Sequence, residues 1–201
     1  MAWRIGFCSD LFGNELRKFI EGMEKVTVKA AGIEASAERK KEFVKAAEAA
    51  LQEKASSEAQ AKDARATAEA VSRIATPSMI RRAERAAVLW VDDQPNNNGN
   101  ERQALAALGI RFVLATSTDQ ALDMIKRGWF DAIISDMGRP PDQQAGYTLL
   151  DRLRADGDQT PFIIYSGSRA PEHFAEAKRR GAVGCTNRPD ELFEMVFSVL
   201  T

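Results

Sequence analysis

Short apolar runs recur along the C-terminal part of the chain, and each ends on a polar residue. Ala87-Val88-Leu89-Trp90-Val91 runs into Asp92-Asp93, Ala132-Ile133-Ile134-Ser135 into Asp136, and Phe162-Ile163-Ile164-Tyr165 into Ser166. Unbroken runs of this length are the pattern of strands buried on both faces, as in a parallel sheet. The predicted strands are Val88–Val91, Arg111–Ala115, Asp131–Ser135, Phe162–Tyr165 and Ala182–Cys185. Between them, helical spacing predicts helices over Glu101–Leu108, from a Thr118 cap through Ala121, Leu122 and Ile125, over Tyr147–Leu153, and over Pro171–Arg180. A last helix starts at Pro189 and runs through Leu192, Phe193, Val196, Val199 and Leu200. Gly109, Gly128 and Gly181 stop three of the helices. Five βα units within residues 87–201 predict an α/β fold, a doubly wound five-stranded parallel sheet with right-handed crossovers.

Residues 1–86 carry a different pattern and are predicted to form an all-helical N-terminal extension. Leu16, Phe19, Ile20 and Met23 follow helical spacing, with Phe12 one turn earlier, as in a short amphipathic helix. Residues 34–75 contain no Gly or Pro, and 14 of these 42 residues are Ala. A continuous helix there would be roughly 60 Å long, ended by Thr76-Pro77. Phe43, Val44, Leu51, Val71 and Ile74 are its bulky apolar residues. Heptad register fails between Leu51 and Val71, where Glu58 and Arg65 take the expected core places. The expectation is a solvated Ala-rich helix or partly disordered linker in preference to a dimerising coiled coil, with docking of residues 34–75 on the α/β part left open.

Composition narrows the function classes. The 28 Lys+Arg and 29 Asp+Glu nearly cancel, so no basic face suited to nucleic acid is implied. Two cysteines, Cys8 and Cys185, make no disulfide framework, and a cytoplasmic location fits. No apolar run approaches a membrane span, and the N-terminus makes a poor signal peptide. Trp3, Phe7, Phe12 and Phe19 are expected to pack within the chain or on a partner, because Asp10, Glu15, Glu21 and Glu24 weaken attraction to anionic lipid.

The candidate chemistry lies at the strand ends. In an open parallel sheet the ligand site lies just beyond the carboxyl ends of the strands. Asp92, Asp93, Asp136 and the Ser166 hydroxyl therefore share one rim. Three clustered carboxylates repel one another unless a hard cation with oxygen ligands joins them, and Mg2+ is the ordinary one.

Those residues, in that order, resemble the receiver domain of bacterial two-component response regulators. The resemblance covers about residues 87–201: the Asp92-Asp93 pair after the first strand, Asp136 after the third with a Pro-containing loop and then Gly146, Ser166 after the fourth, and Arg188-Pro189 after the fifth. It implies that the paired acids hold Mg2+ and that Asp136 accepts a phosphoryl group from a histidine kinase or phosphotransfer protein. It implies that the Gly138 backbone carbonyl completes the metal shell, that Ser166 hydrogen-bonds the phosphoryl group, and that the cation at position 188 pairs with it. Three positions depart from the family: Arg188 stands where it has Lys, Cys185 where it has a switch aromatic, and the loop from Met137 to Gly146 is longer. Arg and Lys are not interchangeable at a tight anion site.

Each residue also has a plainer reading. Asp92-Asp93 alone is a polar strand end or a helix cap, Ser166-Gly167-Ser168 a turn, and Arg188 a surface cation near a helix start. His173, the only histidine, is expected to face solvent or cap a helix. Cys185 and Trp90 are expected in the core. No DNA-binding module follows the receiver-like part in this sequence, so output is expected through a downstream protein partner or a homodimer. The leading expectation is a phosphoacceptor signalling protein, not an enzyme. The alternatives are a pseudo-receiver scaffold that acts without phosphotransfer and, more weakly, a phosphatase. The last lacks an Asp-x-Asp pair, since Met137 and Gly138 follow Asp136.

Overall fold

The computed structural model describes residues 32–167 and 171–200, without the side chains of Pro171 and Glu172. The amphipathic helix expected around Leu16–Met23, and with it Cys8 and the early aromatics, lies outside the described residues. The chain divides into two compact units, Met1–Glu38 and Arg39–Thr201. In the first, residues 32–38 are helical, and Ser36 Oγ donates to the Gly32 carbonyl at 2.8 Å.

The second unit contains the sheet. Strands β1 (Ala87–Val91), β2 (Arg111–Ala115), β3 (Ala132–Ser135), β4 (Phe162–Tyr165) and β5 (Gly184–Thr186) are all parallel, in the order β2-β1-β3-β4-β5. The order reverses between β1 and β3, so the crevice beyond their carboxyl ends is the topological switch point. β5 begins two residues later than the sequence suggests. Gly181 takes φ 91° and the Ala182 amide bonds back to the Ala177 carbonyl, so the chain closes the preceding helix before pairing with β4.

The helices are α1 (residues 32–53), α2 (Glu58–Ile74), α3 (Pro77–Ala83), α4 (Gly99–Ala107), α5 (Thr118–Arg127), α6 (Ala145–Ala155), α7 (Pro171–Arg179) and α8 (Pro189–Val199). Alternating strand residues feed two cores. Leu89, Val91, Ile133, Phe162, Ile164 and Cys185 pack under α5, α6 and α7. Val88, Trp90, Ile134, Ile163 and Tyr165 pack under α4 and α8. The N-cap of α5 is Ser117, which accepts from the Gln120 amide at 3.2 Å, and not the expected Thr118.

The extension departs most from expectation. The continuous helix over 34–75 is two helices, broken at residues 54–57. Ser57 caps α2 by accepting from the Gln60 amide, while Gln60 Oε1 accepts from the Ser56 amide at 2.9 Å. This Ser-x-x-Gln pair is the signal a helix start leaves in sequence. From Arg39 onward the pair of helices is docked, not solvated: Phe43, Ala46, Ala47 and Ala50 of α1 and Ala68 and Val71 of α2 share one core with Phe193, Val196 and Phe197 of α8. The Phe43 ring meets Phe193 edge-on at 5.3 Å and Phe197 at 5.7 Å. The alanines permit this close approach. The composition change falls at residue 86, but the compact unit that holds the sheet begins at Arg39.

Candidate functional site: an acidic pocket at the β1/β3 switch point

Asp92 and Asp93 leave β1 as the chain turns outward, and Asp136 leaves β3 beside them. The Asp92 amide donates to Ala115 and the Asp136 amide to Val91, so sheet pairing continues up to both acids and fixes their separation. One carboxylate oxygen from each of the three lies within 4.8 Å of the others. Adjacent oxygens of an octahedral Mg2+ shell sit about 3 Å apart and opposite ones about 4.2 Å, so this donor set fits a single hard cation once the carboxylates draw closer together. Asp92 is buried, with Oδ1 accepting from the Gln94 amide at 2.8 Å and Oδ2 from Asn98 Nδ2 at 2.6 Å. Asp136 Oδ1 accepts from the Met137 amide at 2.6 Å, and Asp136 lines the pocket at this rim. Burial raises the proton affinity of Asp136, opposed by the Met137 hydrogen bond and reinforced by the charges of Asp92 and Asp93.

These acids line a pocket of about 480 Å³ together with Gly138, Gln143, Tyr165, Ser166 and Asn187. Ser166 is buried at the end of β4, its Oγ 3.9 Å from Cys185 Sγ. The structure thus brings together Asp92, Asp93, Asp136, Gly138 and Ser166. It does not bring Arg188 with them. The Arg188 guanidinium pairs with Asp190 and lies 3.5 Å from Glu191, in a neighbouring pocket. The reason is local: two carboxylates in the first turn of α8 are nearer to it than the acidic rim.

The long loop after Asp136 is tied inward. Arg139 is buried and donates to Ser135 Oγ and to the Asp136 carbonyl, both at 2.8 Å, and to Thr118 Oγ1 at 3.1 Å. An Arg–Asp backbone pairing, Arg139 with Asp142, closes the loop. Gly146 then passes so close that an added Cβ would stand 2.8 Å from the Asp136 carbonyl oxygen. Gly146→Ala is therefore expected to destabilise the fold by about 1–3 kcal/mol and to weaken divalent-cation binding. A denaturant melt and a Mg2+ titration check it.

Sequence reasoning missed a second polar chain behind the acids. Glu101 of α4 is fully buried and accepts from Tyr165 Oη at 2.8 Å, while its Oε2 has no hydrogen-bond partner among the described residues. Lys54, just past α1, lines the acidic pocket, donates to the Asn97 carbonyl at 3.0 Å and Asn98 Oδ1 at 3.3 Å, and lies 3.9 Å from Glu101 Oε1. Burial raises the proton affinity of Glu101, and the bond from Tyr165 and the Lys54 charge oppose the rise. The folded chain then binds more protons than the unfolded chain above the ordinary Glu value of 4.5. The stability from this group is whole below that value and is lost as pH rises through the raised one. Melts between about pH 4 and pH 8 are expected to show wild type losing ground to Glu101→Gln as pH rises. A pH-independent gap would contradict the assignment. Only a contact between distant segments makes Glu101 and Lys54 visible, and no local spacing marks either.

His173 is part-buried, and its carbonyl accepts from Tyr147 Oη at 3.2 Å. No helix among the described residues is long and apolar enough to cross a membrane.

Comparison with known proteins agrees with this geometry. Residues 88–197 match the family model described as the response regulator receiver domain. Regulator of RpoS from Escherichia coli (strain K12) is 32% identical over 117 residues, covering 56% of this chain and 34% of that protein. Sensor histidine kinase RcsC from the same strain is 28% identical over 102 residues, covering 51% of this chain and 10% of that one. The chain thus spans about a third or less of the length of these relatives. Among solved structures, the Francisella response regulator 1452 receiver domain is 27% identical with a TM-score of 0.52, covering 57% of this chain and 96% of that chain. Chemotaxis response regulator CheY4 of Vibrio cholerae is 27% identical with a TM-score of 0.50, covering 57% and 98%.

Proposed function

Because the chain belongs to the response regulator receiver domain family, we propose that it is a phosphoacceptor signalling protein that takes a phosphoryl group on Asp136 and passes the change on through protein contacts. The observation that carries this reading is the gathering of Asp92, Asp93 and Asp136 within 4.8 Å at the switch point, with Ser166 lining the same pocket. Asp93, Asp136 and the Gly138 carbonyl are the groups to hold Mg2+, with Asp92 beside them. When bound, Mg2+ cancels the repulsion between an anionic nucleophile and an anionic phosphoryl group and stabilises the charge in transfer.

The remaining steps belong to the chain. Asp136 Oδ2 attacks phosphorus as the bond from phosphorus to the donor breaks, and the donor leaves with that electron pair. The donor is a phosphohistidine of a sensor kinase or phosphotransfer protein, or a small acyl phosphate. The Met137 amide holds Oδ1, so the carboxylate cannot rotate away. Ser166 Oγ then donates to a phosphoryl oxygen, a charge-assisted bond stronger than its contact with Cys185. The site of action is the cytoplasm, and the receiving partner is another protein or a second copy of the chain.

Acetyl phosphate with Mg2+ tests the reading. An acid-stable, hydroxylamine-sensitive phosphate on the wild-type chain supports it. The second reading is a scaffold that works without phosphotransfer, favoured by Arg188 being engaged on Asp190 and by Cys185 standing where the family has an aromatic. Absence of label from every donor and kinase selects that one.

A further inference from the structure

The acidic pocket lacks the cation that the fifth strand was expected to bring. Arg188 is held by Asp190 and Glu191 and lines the adjoining pocket. Arg139 is close enough for its charge to act on Asp136, but its two terminal nitrogens are engaged on Ser135 Oγ, the Asp136 carbonyl and Thr118 Oγ1, and it does not line the pocket. Arg102 lies over the Trp90 ring at 5.5 Å. Among the described residues that line the acidic pocket, Lys54 is the only one with a positive charge.

Lys54 is well placed for an anion. It sits in the break between α1 and α2, where the backbone leaves the helix, and it lines the pocket at the switch point. Its Nζ touches Asn98, whose amide in turn donates to Asp92 Oδ2. The side chain is 30% exposed, so it is not locked in. Its present partners are weak ones for an ammonium group: a carbonyl at 3.0 Å, an amide oxygen at 3.3 Å and a carboxylate at 3.9 Å. A phosphoryl dianion on Asp136 would outcompete all three, because a doubly charged acceptor attracts an ammonium group more strongly than two neutral oxygens or a carboxylate 3.9 Å away.

We propose that Lys54 of the N-terminal extension, and not Arg188, is the positioning cation that pairs with the phosphoryl group on Asp136. This rests on Asp136 being the acceptor. Lys54 waits on Asn97, Asn98 and Glu101 in the unphosphorylated chain and moves to a phosphoryl oxygen after transfer. Glu101 then loses the Lys54 charge 3.9 Å away, and the α1–α2 turn is drawn toward the rim. The extension is thereby both a covering for α8 and a sensor of the phosphorylation state. A flexible four-carbon stem suits this reach better than a planar guanidinium.

Beryllofluoride with Mg2+, a stand-in for the phosphoryl group, tests the assignment by calorimetric titration of the full chain. Lys54→Gln is expected to weaken beryllofluoride binding by about tenfold to a hundredfold, the size of one charged hydrogen bond. The same variant is expected to bind Mg2+ alone more tightly, since a repelling charge has gone. Lys54→Arg keeps the charge but not the reach and recovers only part of the affinity, and Arg188→Gln leaves it within about twofold of wild type. A purely structural Lys54 lowers the melting temperature of Lys54→Gln and leaves both affinities unchanged, which overturns the proposal. An Arg188→Gln variant that loses tenfold overturns it as well. If wild type binds no beryllofluoride and takes no label, the phosphoacceptor reading falls and this inference with it. If wild type binds and Lys54→Gln binds equally, this inference alone falls.

Discussion

Asp136→Asn is expected to take up no phosphate from acetyl phosphate or from any kinase, and to melt at a higher temperature than wild type in metal-free buffer. Both outcomes have one cause. The carboxylate is part-buried at a strand end beside Asp92 and Asp93, and its ionised form is disfavoured by that burial and by both neighbours. An amide of the same shape keeps the acceptor for the Met137 amide and removes the charge. It therefore relieves the repulsion that the fold tolerates. It also removes the nucleophile, since an amide oxygen does not form the mixed anhydride. The loss of label should be complete, not partial. Excess Mg2+ should reverse the order of melting temperatures, because binding to the native state alone stabilises wild type by mass action. Intact protein mass after labelling and paired thermal melts with and without Mg2+ read the two halves. A labelled Asp136→Asn chain would move the acceptor elsewhere. A variant that melts below wild type without metal would refute the electrostatic account.

Phe43→Ala is the second large effect. The Phe43 side chain is fully buried between the Phe193 and Phe197 rings. Truncating such a ring costs about 3–5 kcal/mol, which is roughly a 10 °C fall in melting temperature for a unit of this size. The change should appear in the sheet as well as in the extension, as a single transition at lower temperature. Arg65→Ala, on an exposed face of α2, should shift it hardly at all. A solvated extension would give the opposite result, with Phe43→Ala silent and residues 87–201 unaffected. Chemical denaturation followed by near-ultraviolet signals, with Trp90 in the sheet core, separates the two.

The strands were legible because their signal is local. β2 and β4 fall on the predicted residues, and β1 and β3 differ by one residue at the start. An unbroken apolar run leaves little freedom once both faces are covered. The acids were legible for a related reason. A parallel sheet carries every strand end to the same rim, so Asp92, Asp93, Asp136 and Ser166 could be grouped without coordinates. The break at residues 54–57 was also present in sequence, as Ser57 and Gln60 at capping spacing. The continuous run of good helix formers hid it. Arg188 went the other way. Its place before Pro189 pointed to the rim, but Asp190 and Glu191 lie closer and hold it.

By itself the sequence determined the parallel sheet, the order in which the acids appear and the helical character of residues 32–83, because each follows from periodicity and from residue types within one segment. The tertiary structure alone decided what residues 39–83 pack against and which cation lines the acidic pocket. Alanine-rich helix faces specify no partner until a complementary surface such as α8 is folded. The direction of a long charged side chain is set by the nearest opposite charge in space, which for Arg188 is Asp190 and for Lys54 lies across the chain at the switch point.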